Sequence, residues 1–265
     1  MTLSFPVSDG VLLATQASLV ALPRALPPAQ LRALAGRSWA LVPAGSIALV
    51  IAAIAIAPGT ANFLTYLALV ATPLLAAVAL AVIVPGARWW LAPLVVPLLA
   101  VAWKAPAGSL SAQGAALALT ALGCLTLGWL LAAVTPTPWL KLGIIGGAIM
   151  DSILVFSDLL QGPNATLNAA APAAGLPRLQ FVSFGSAVMG YGDLFIAAVL
   201  GGLLLRERTP QLPVAILCLL FAAAFDLLFF VTNELPATVP VAAALIASEL
   251  MLVRRPAPIP APGEH

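Results

Sequence analysis

Charge is the scarcest property of this sequence. Only 8% of its 265 residues are charged, 62% are hydrophobic, and the mean hydropathy is +1.11. A soluble domain carries about 25% charged residues, so this chain has too few to cover a water-facing surface. Its net charge is only +2, and its longest run of basic residues is Arg254-Arg255. The composition therefore excludes a soluble fold, and it excludes the basic face that binding of nucleic acid requires.

Cysteine and histidine are almost missing. The two cysteines, Cys124 and Cys218, lie singly in apolar segments, without a neighbouring cysteine or histidine. This spacing excludes a disulfide framework and a zinc site. The only histidine, His265, is the last residue, which leaves none for catalysis. We expect neither a metal ion nor another cofactor.

What the sequence does have is a series of long apolar segments. Segments of about 20 apolar residues are typical of helical membrane proteins, because backbone groups in lipid must form hydrogen bonds within their own helix. We predict an all-α polytopic integral membrane protein with eight to nine transmembrane helices. Residues 10–23 are either a short ninth span or an interfacial helix, because they are only about 14 residues long. The eight spans are predicted at 38–57, 62–84, 88–103, 111–134, 139–160, 179–205, 213–231 and 237–253.

Basic residues predict the orientation. Nine of the eleven Lys and Arg residues lie on one side of these spans, and only Lys104 and Arg178 lie on the other. The positive-inside rule then places the C-terminus in the cytoplasm and the connection 161–178 outside. Residues 254–265 are rich in proline and have little to bury, so we expect a disordered cytoplasmic tail. The protein is expected in the cytoplasmic membrane of a prokaryote, in contact with lipid.

Four acidic residues fall inside the predicted spans: Asp151, Asp158, Asp193 and Asp226. An aspartate at the bilayer centre costs about 2.5–3.5 kcal/mol, so each is a candidate functional residue. At 1.5 Å per residue, Asp151 and Asp193 lie ~16 and ~18 Å from the same membrane face, on consecutive helices. Asp158 is two turns nearer the outside, where it would line the mouth of a polar cavity. Asp226, ~20 Å deep, is either an interhelical hydrogen-bond donor or an additional member of the site.

Two carboxyl groups at the same depth can act as a catalytic pair. When they lie within about 3 Å they hold one proton between them, so that one activates water and the other polarises a carbonyl group. This is the chemistry of aspartic proteolysis. Gly190 and Gly192, on either side of Tyr191, come just before Asp193 and remove side chains that would keep a helix or an extended peptide at a distance.

Three segments resemble the motifs of the intramembrane aspartyl proteases, the presenilin and signal peptide peptidase family. Met150-Asp151 resembles the Tyr-Asp motif of that family, with methionine in place of tyrosine. Gly190-Tyr191-Gly192-Asp193 resembles its Gly-x-Gly-Asp motif. Pro236-Ala237-Thr238 resembles its Pro-Ala-Leu motif, with threonine in place of leucine. The resemblance covers about residues 139–250, and the first half of the chain is similar only as hydrophobic spans.

The resemblance implies a presenilin-like fold and an intramembrane aspartic endopeptidase. Residues 1–134 would be scaffold helices and residues 135–253 the catalytic helices. Asp151 and Asp193 would be catalytic, and the glycine-rich and proline-containing motifs would dock the substrate, a transmembrane helix or a signal peptide. The predicted orientation is that of signal peptide peptidase, for which substrates with an inside N-terminus are expected.

Other functions remain open. A proton-coupled transporter or channel would use Asp151, Asp193 and Asp226 as a relay. A prepilin-peptidase-like enzyme also uses an acid in a Gly-x-Gly-Asp motif, but its acids lie near the cytoplasmic face. A catalytically inactive member could act as a binding scaffold. The sequence does not indicate an oligomeric state.

Overall fold

The computed structural model describes residues 4–57, 59–157, 159, 161–173, 175–230 and 235–253. Asp158 and the tail 254–265 lie outside these residues. Within them the chain is mostly helical, with short 3₁₀ or π turns extending several helices. The elements are α1 (Phe5–Ala21), α2 (Val42–Ile56), α3 (Gly59–Val78), α4 (Val95–Lys104), α5 (Leu110–Val134), α6 (Thr137–Phe156), α7 (Gln161–Ala169), β1 (Phe181–Phe184), β2 (Ala187–Gly190), α8 (Tyr191–Glu207), α9 (Gln211–Phe225) and α10 (Val239–Val253).

Within the described residues, five helices, counted with their adjoining turns, are long and apolar enough to cross a membrane. They are Arg37–Ile56, Gly59–Ile83, Leu110–Val134, Thr137–Phe156 and Gln211–Phe230. Large apolar side chains on these helices face outward: Ile56 is 85% exposed and Phe230 is 88% exposed. Such surfaces suit lipid rather than water. The described residues therefore form a mostly helical protein suited to a membrane, and the total of eight to nine spans stays a prediction.

The described residues are mostly helical, as predicted, but the predicted span 179–205 is wrong in its first part. Residues 181–190 form an antiparallel hairpin, with Phe181 paired to Gly190 and Phe184 to Ala187, and α8 begins only at Tyr191. The turn contains Gly185 at a φ of 59°, a conformation that glycine adopts without a steric penalty. The preceding connection 161–178, expected as a loop, contains the helix α7. The hairpin thus leads directly into the helix that carries Asp193.

Helix α8 is enclosed by two close helix contacts. A Cβ atom on Gly128 of α5 would lie 2.4 Å from the carbonyl carbon of Ala198, and one on Gly201 would lie 2.5 Å from the carbonyl oxygen of Leu19 in α1. Small residues let helix backbones approach this closely inside a membrane. The side chains of α8 from Ile196 to Leu200 are fully buried. These contacts fix the position of the helix that begins at Tyr191.

We predict that Gly128→Ala destabilises the protein. The new methyl group would overlap the α8 backbone, and overpacking of this kind costs about 1–3 kcal/mol. Thermal unfolding in detergent measures the effect. Gly146→Ala in α6 is the matched control, because a Cβ atom there would have no neighbour within 4 Å. Equal unfolding temperatures for the two variants would contradict this account of the α5–α8 contact.

An ion cluster joins α6, α8 and α10 at one end of the bundle. Lys141 Nζ lies 2.6 Å from Glu207 Oε1 and 2.8 Å from Glu249 Oε1. Helix α6 carries Asp151, helix α8 carries Asp193, and helix α10 follows Pro236-Ala237-Thr238. A single cation therefore links the three segments at the end away from the acids.

Lys141→Met is expected to lower the melting temperature slightly, because ion pairs that are partly exposed contribute about 1 kcal/mol or less. The charge-swapped variant Lys141→Glu/Glu207→Lys should recover part of the loss that Lys141→Glu alone causes. Thermal unfolding at low and high salt measures both. A swap that gives no recovery would show that the Lys141–Glu207 contact adds nothing to stability.

Candidate active site

One large cavity is lined by residues from each of the three motifs. It has a volume of about 1390 Å³, and most of its wall is apolar. Cavities of this kind, with a few convergent polar groups, are typical of binding and active sites. The wall includes the glycine-rich segment 190–192, Ala237 and four aspartates. Its polar residues include Asp9, Gln16, Asp151, Asp193 and Asp226.

Asp151 lies in α6 and is buried, with 8% of its surface exposed. The hydroxyl group of Thr238 donates a hydrogen bond to its Oδ2 at 2.7 Å. Thr238 is itself buried, in the turn just before α10. The turn that contains Thr238 is thus bonded directly to the first acid, 87 positions earlier in the chain.

Asp193 is the third residue of α8, and the strand-to-helix junction holds its side chain. The backbone N–H of Gly190, where β2 ends, donates to Asp193 Oδ2 at 3.0 Å. A carboxylate at this position satisfies a free N–H group and interacts well with the positive end of the helix dipole. A Cβ atom on residue 190 would lie 3.0 Å from the same oxygen, which is tight. A Cβ atom on Gly192 would meet nothing within 4 Å, so this glycine leaves open space beside Asp193.

The two acids share one environment. Both line the cavity. The same cavity brings in Ala237, whose backbone carbonyl faces α1. Pro236 is buried in the turn before α10. The structure therefore gathers Asp151, Asp193 and the segment Pro236-Ala237-Thr238 from three separate parts of the chain.

Gln16 is a cavity residue that the sequence analysis missed. It lies in α1, is fully buried, and donates through Nε2 to the backbone carbonyl of Asp193 at 3.3 Å and to that of Ala237 at 2.9 Å. A glutamine in a segment that is otherwise apolar was the available signal. Helix α1 packs in the bundle, since Leu12, Leu19 and Val20 are fully buried.

Asp226 lies near a second missed residue, Asp9. Asp226 begins the 3₁₀ turn after α9, and Asp9 lies in α1. Phe229 of the same turn packs edge-on against Phe5 of α1, with ring centres 5.6 Å apart. Both acids line the cavity. The structure therefore places Asp226 where the turn after α9 meets α1.

The chemistry available in the cavity is that of carboxylic acids. Cys124 and Cys218 are both buried and unpaired, and neither lines the cavity. Among the described residues, no three Asp, Glu, Cys or His side chains are grouped closely enough to hold a metal ion. The chain gives no significant match to a protein-family model, to a curated protein or to a solved structure. Two neighbouring carboxyl groups can activate a water molecule and protonate a carbonyl oxygen without further groups.

Proposed function

We propose that the protein is an intramembrane aspartyl protease that hydrolyses peptide bonds within transmembrane helices or signal peptides. The observation that supports this most is the placement of Asp151 and Asp193 in the wall of one cavity, each held by a hydrogen bond from one of the other two motif residues, Thr238 and Gly190. The protein would have eight to nine spans in a presenilin-like arrangement, with its C-terminus in the cytoplasm. Its substrates would enter from the surrounding lipid.

The hydrogen bonds suggest different roles for the two acids. The buried hydroxyl group of Thr238 donates to Asp151, and a donor of this kind stabilises the ionised carboxylate, so we assign the role of base to Asp151. Asp151 would take a proton from water while the water oxygen bonds to the peptide carbonyl carbon, and Asp193 would give its proton to the carbonyl oxygen. The C–N bond would then break as Asp151 gives its proton to the departing nitrogen and Asp193 takes a proton back from one hydroxyl group of the tetrahedral intermediate. The products are a carboxylic acid and an amine.

The substrate must be extended where it is cut, because the carbonyl groups of a helix are occupied by its own hydrogen bonds. The β2 strand leads directly to Asp193, and Val188, Met189 and Gly190 line the cavity. A strand edge beside an active site can bind an extended peptide through backbone hydrogen bonds. This favours a polypeptide substrate over a small molecule.

The proposal is tested with purified protein in lipid vesicles and a panel of membrane-helix peptides. We expect new peptide termini by mass spectrometry, and we expect their loss with a hydroxyl-containing inhibitor that mimics the tetrahedral intermediate. Cleavage that resists this inhibitor would point to a contaminating protease. A complete lack of cleavage by folded protein across the panel would sink the proposal.

A proton-coupled transporter or channel is a second candidate, because four acids line the same cavity. A relay would pass a proton along Asp9, Asp226, Asp151 and Asp193. It predicts proton flux in vesicles that Asp226→Asn abolishes. Proteolysis instead predicts peptide cleavage in vesicles that show no such flux.

A further inference from the structure

The side chain of Gln16 forms hydrogen bonds to two backbone carbonyls, that of Asp193 and that of Ala237. Its Nε2 donates to the carbonyl of Asp193, which carries one acid. It also donates to the carbonyl of Ala237, the residue before Thr238, which in turn bonds to Asp151. A short path of hydrogen bonds therefore runs from one carboxyl-bearing residue to the other through the side chain of Gln16.

The orientation of the Gln16 amide group is fixed by chemistry. An amide nitrogen has two hydrogens, and both acceptors beside it are carbonyl oxygens. Turning the amide over would place its own oxygen against these two carbonyls and remove both hydrogen bonds. The side chain is fully buried, so losing both bonds would leave buried polar groups without partners. The arrangement with Nε2 toward the two carbonyls is therefore favoured, although Oε1 is then buried without a hydrogen-bond partner.

The two carbonyls that Gln16 bridges lie where the backbone makes fewer hydrogen bonds of its own. Asp193 lies in the first turn of α8, and Ala237 lies in an irregular turn before α10. Helix ends and turns have fewer backbone hydrogen bonds to hold them than helix interiors have. Helix α1 is packed against α8 where the backbone of Leu19 meets Gly201. It therefore supplies a firm base from which Gln16 reaches both segments.

We propose that Gln16 is a positioning residue for the catalytic pair, setting the distance between Asp193 and Asp151 through Asp193 and Ala237. This rests on the proposed proteolytic function. It also makes α1 part of the active site, although residues 1–134 were expected only as a scaffold. Misplacing reacting groups by about 1 Å can cost ~100-fold in rate.

Gln16→Leu tests the proposal, with Gln211→Leu as the matched control. Gln211 is also a buried glutamine whose Nε2 donates to two backbone carbonyls, those of Pro23 and Gly201, but it does not line the cavity. Both variants should lower the melting temperature. Only Gln16→Leu should lower kcat, by about 10- to 100-fold, with KM unchanged. Steady-state kinetics on a membrane-helix peptide measure this difference.

A double variant separates positioning from packing. If Gln16 acts through Ala237 and Thr238, then Gln16→Leu/Thr238→Val should lose less rate than the two single losses multiplied together. Gln211→Leu/Thr238→Val should show independent effects. Should Gln16→Leu fail to fold, Gln16→Met replaces it, since methionine matches the length and has no donor.

Three results are decisive. Unchanged kcat in the Gln16 variants, or an equal fall in the Gln16 and Gln211 variants, would overturn the positioning role while leaving the proteolytic function standing. A selective fall in kcat supports the role. No cleavage by the wild-type protein would instead remove the proposed function, and the role of Gln16 with it.

Discussion

Asp193→Asn and Asp151→Asn are each expected to abolish peptide cleavage, with a loss of at least about 1,000-fold. An amide can neither share a proton with the remaining acid nor take one from water. Asparagine still offers an oxygen to the donors of the native site, the N–H of Gly190 and the hydroxyl of Thr238. The fold should therefore survive, and the loss should lie in the chemical step.

The measurement is product formation from a membrane-helix peptide, with melting temperature as the check on folding. Glu249→Gln is the matched control, an acid-to-amide change in the ion cluster with Lys141, outside the cavity. It should cleave normally. Substantial activity in either aspartate variant would refute a catalytic pair made of Asp151 and Asp193.

The long helices could be predicted from the sequence because lipid permits few alternatives. Residues 111–134 were predicted as a span, and α5 runs from Leu110 to Val134. The hairpin at 181–190 could not be found by hydropathy, which reports burial and not backbone conformation. Its strand Phe181-Val182-Ser183-Phe184 and the following Gly185-Ser186 turn are nevertheless a local hairpin signal. The apolar run 179–205 predicts one long helix, whereas the chain forms a hairpin and then a shorter helix.

The acids of the candidate site stood out in the sequence because charge is rare in an apolar span. Gln16 is also a polar residue in an apolar segment, but the prediction for residues 10–23 rests on their length. Its contacts with Asp193 and Ala237 depend on how α1 packs between other helices, and a one-dimensional pattern does not contain that information. The same holds for Thr238 and Asp151, which are 87 positions apart.

Thr238 occupies the position where the resembled motif has leucine. Unlike leucine, threonine has a hydroxyl group that can donate a hydrogen bond to Asp151. Its bond to Asp151 Oδ2 is 2.7 Å long, and both residues are buried. A hydrogen bond to a charged group contributes about 1.5–3 kcal/mol. Thr238→Val keeps the shape but removes this donor. We expect kcat/KM to fall by about 10- to 100-fold.

The loss should be partial because valine removes one donor and leaves both acids in place. Thr238→Ser keeps the hydroxyl donor and should stay close to the wild-type rate, which makes it the matched control. Kinetics on one peptide substrate, with melting temperatures for all three proteins, separate the hydroxyl from the packing of the methyl group. If the valine and serine variants cleave equally well, the hydroxyl does not assist Asp151. If valine alone is impaired, the threonine in this motif stabilises the base that activates water.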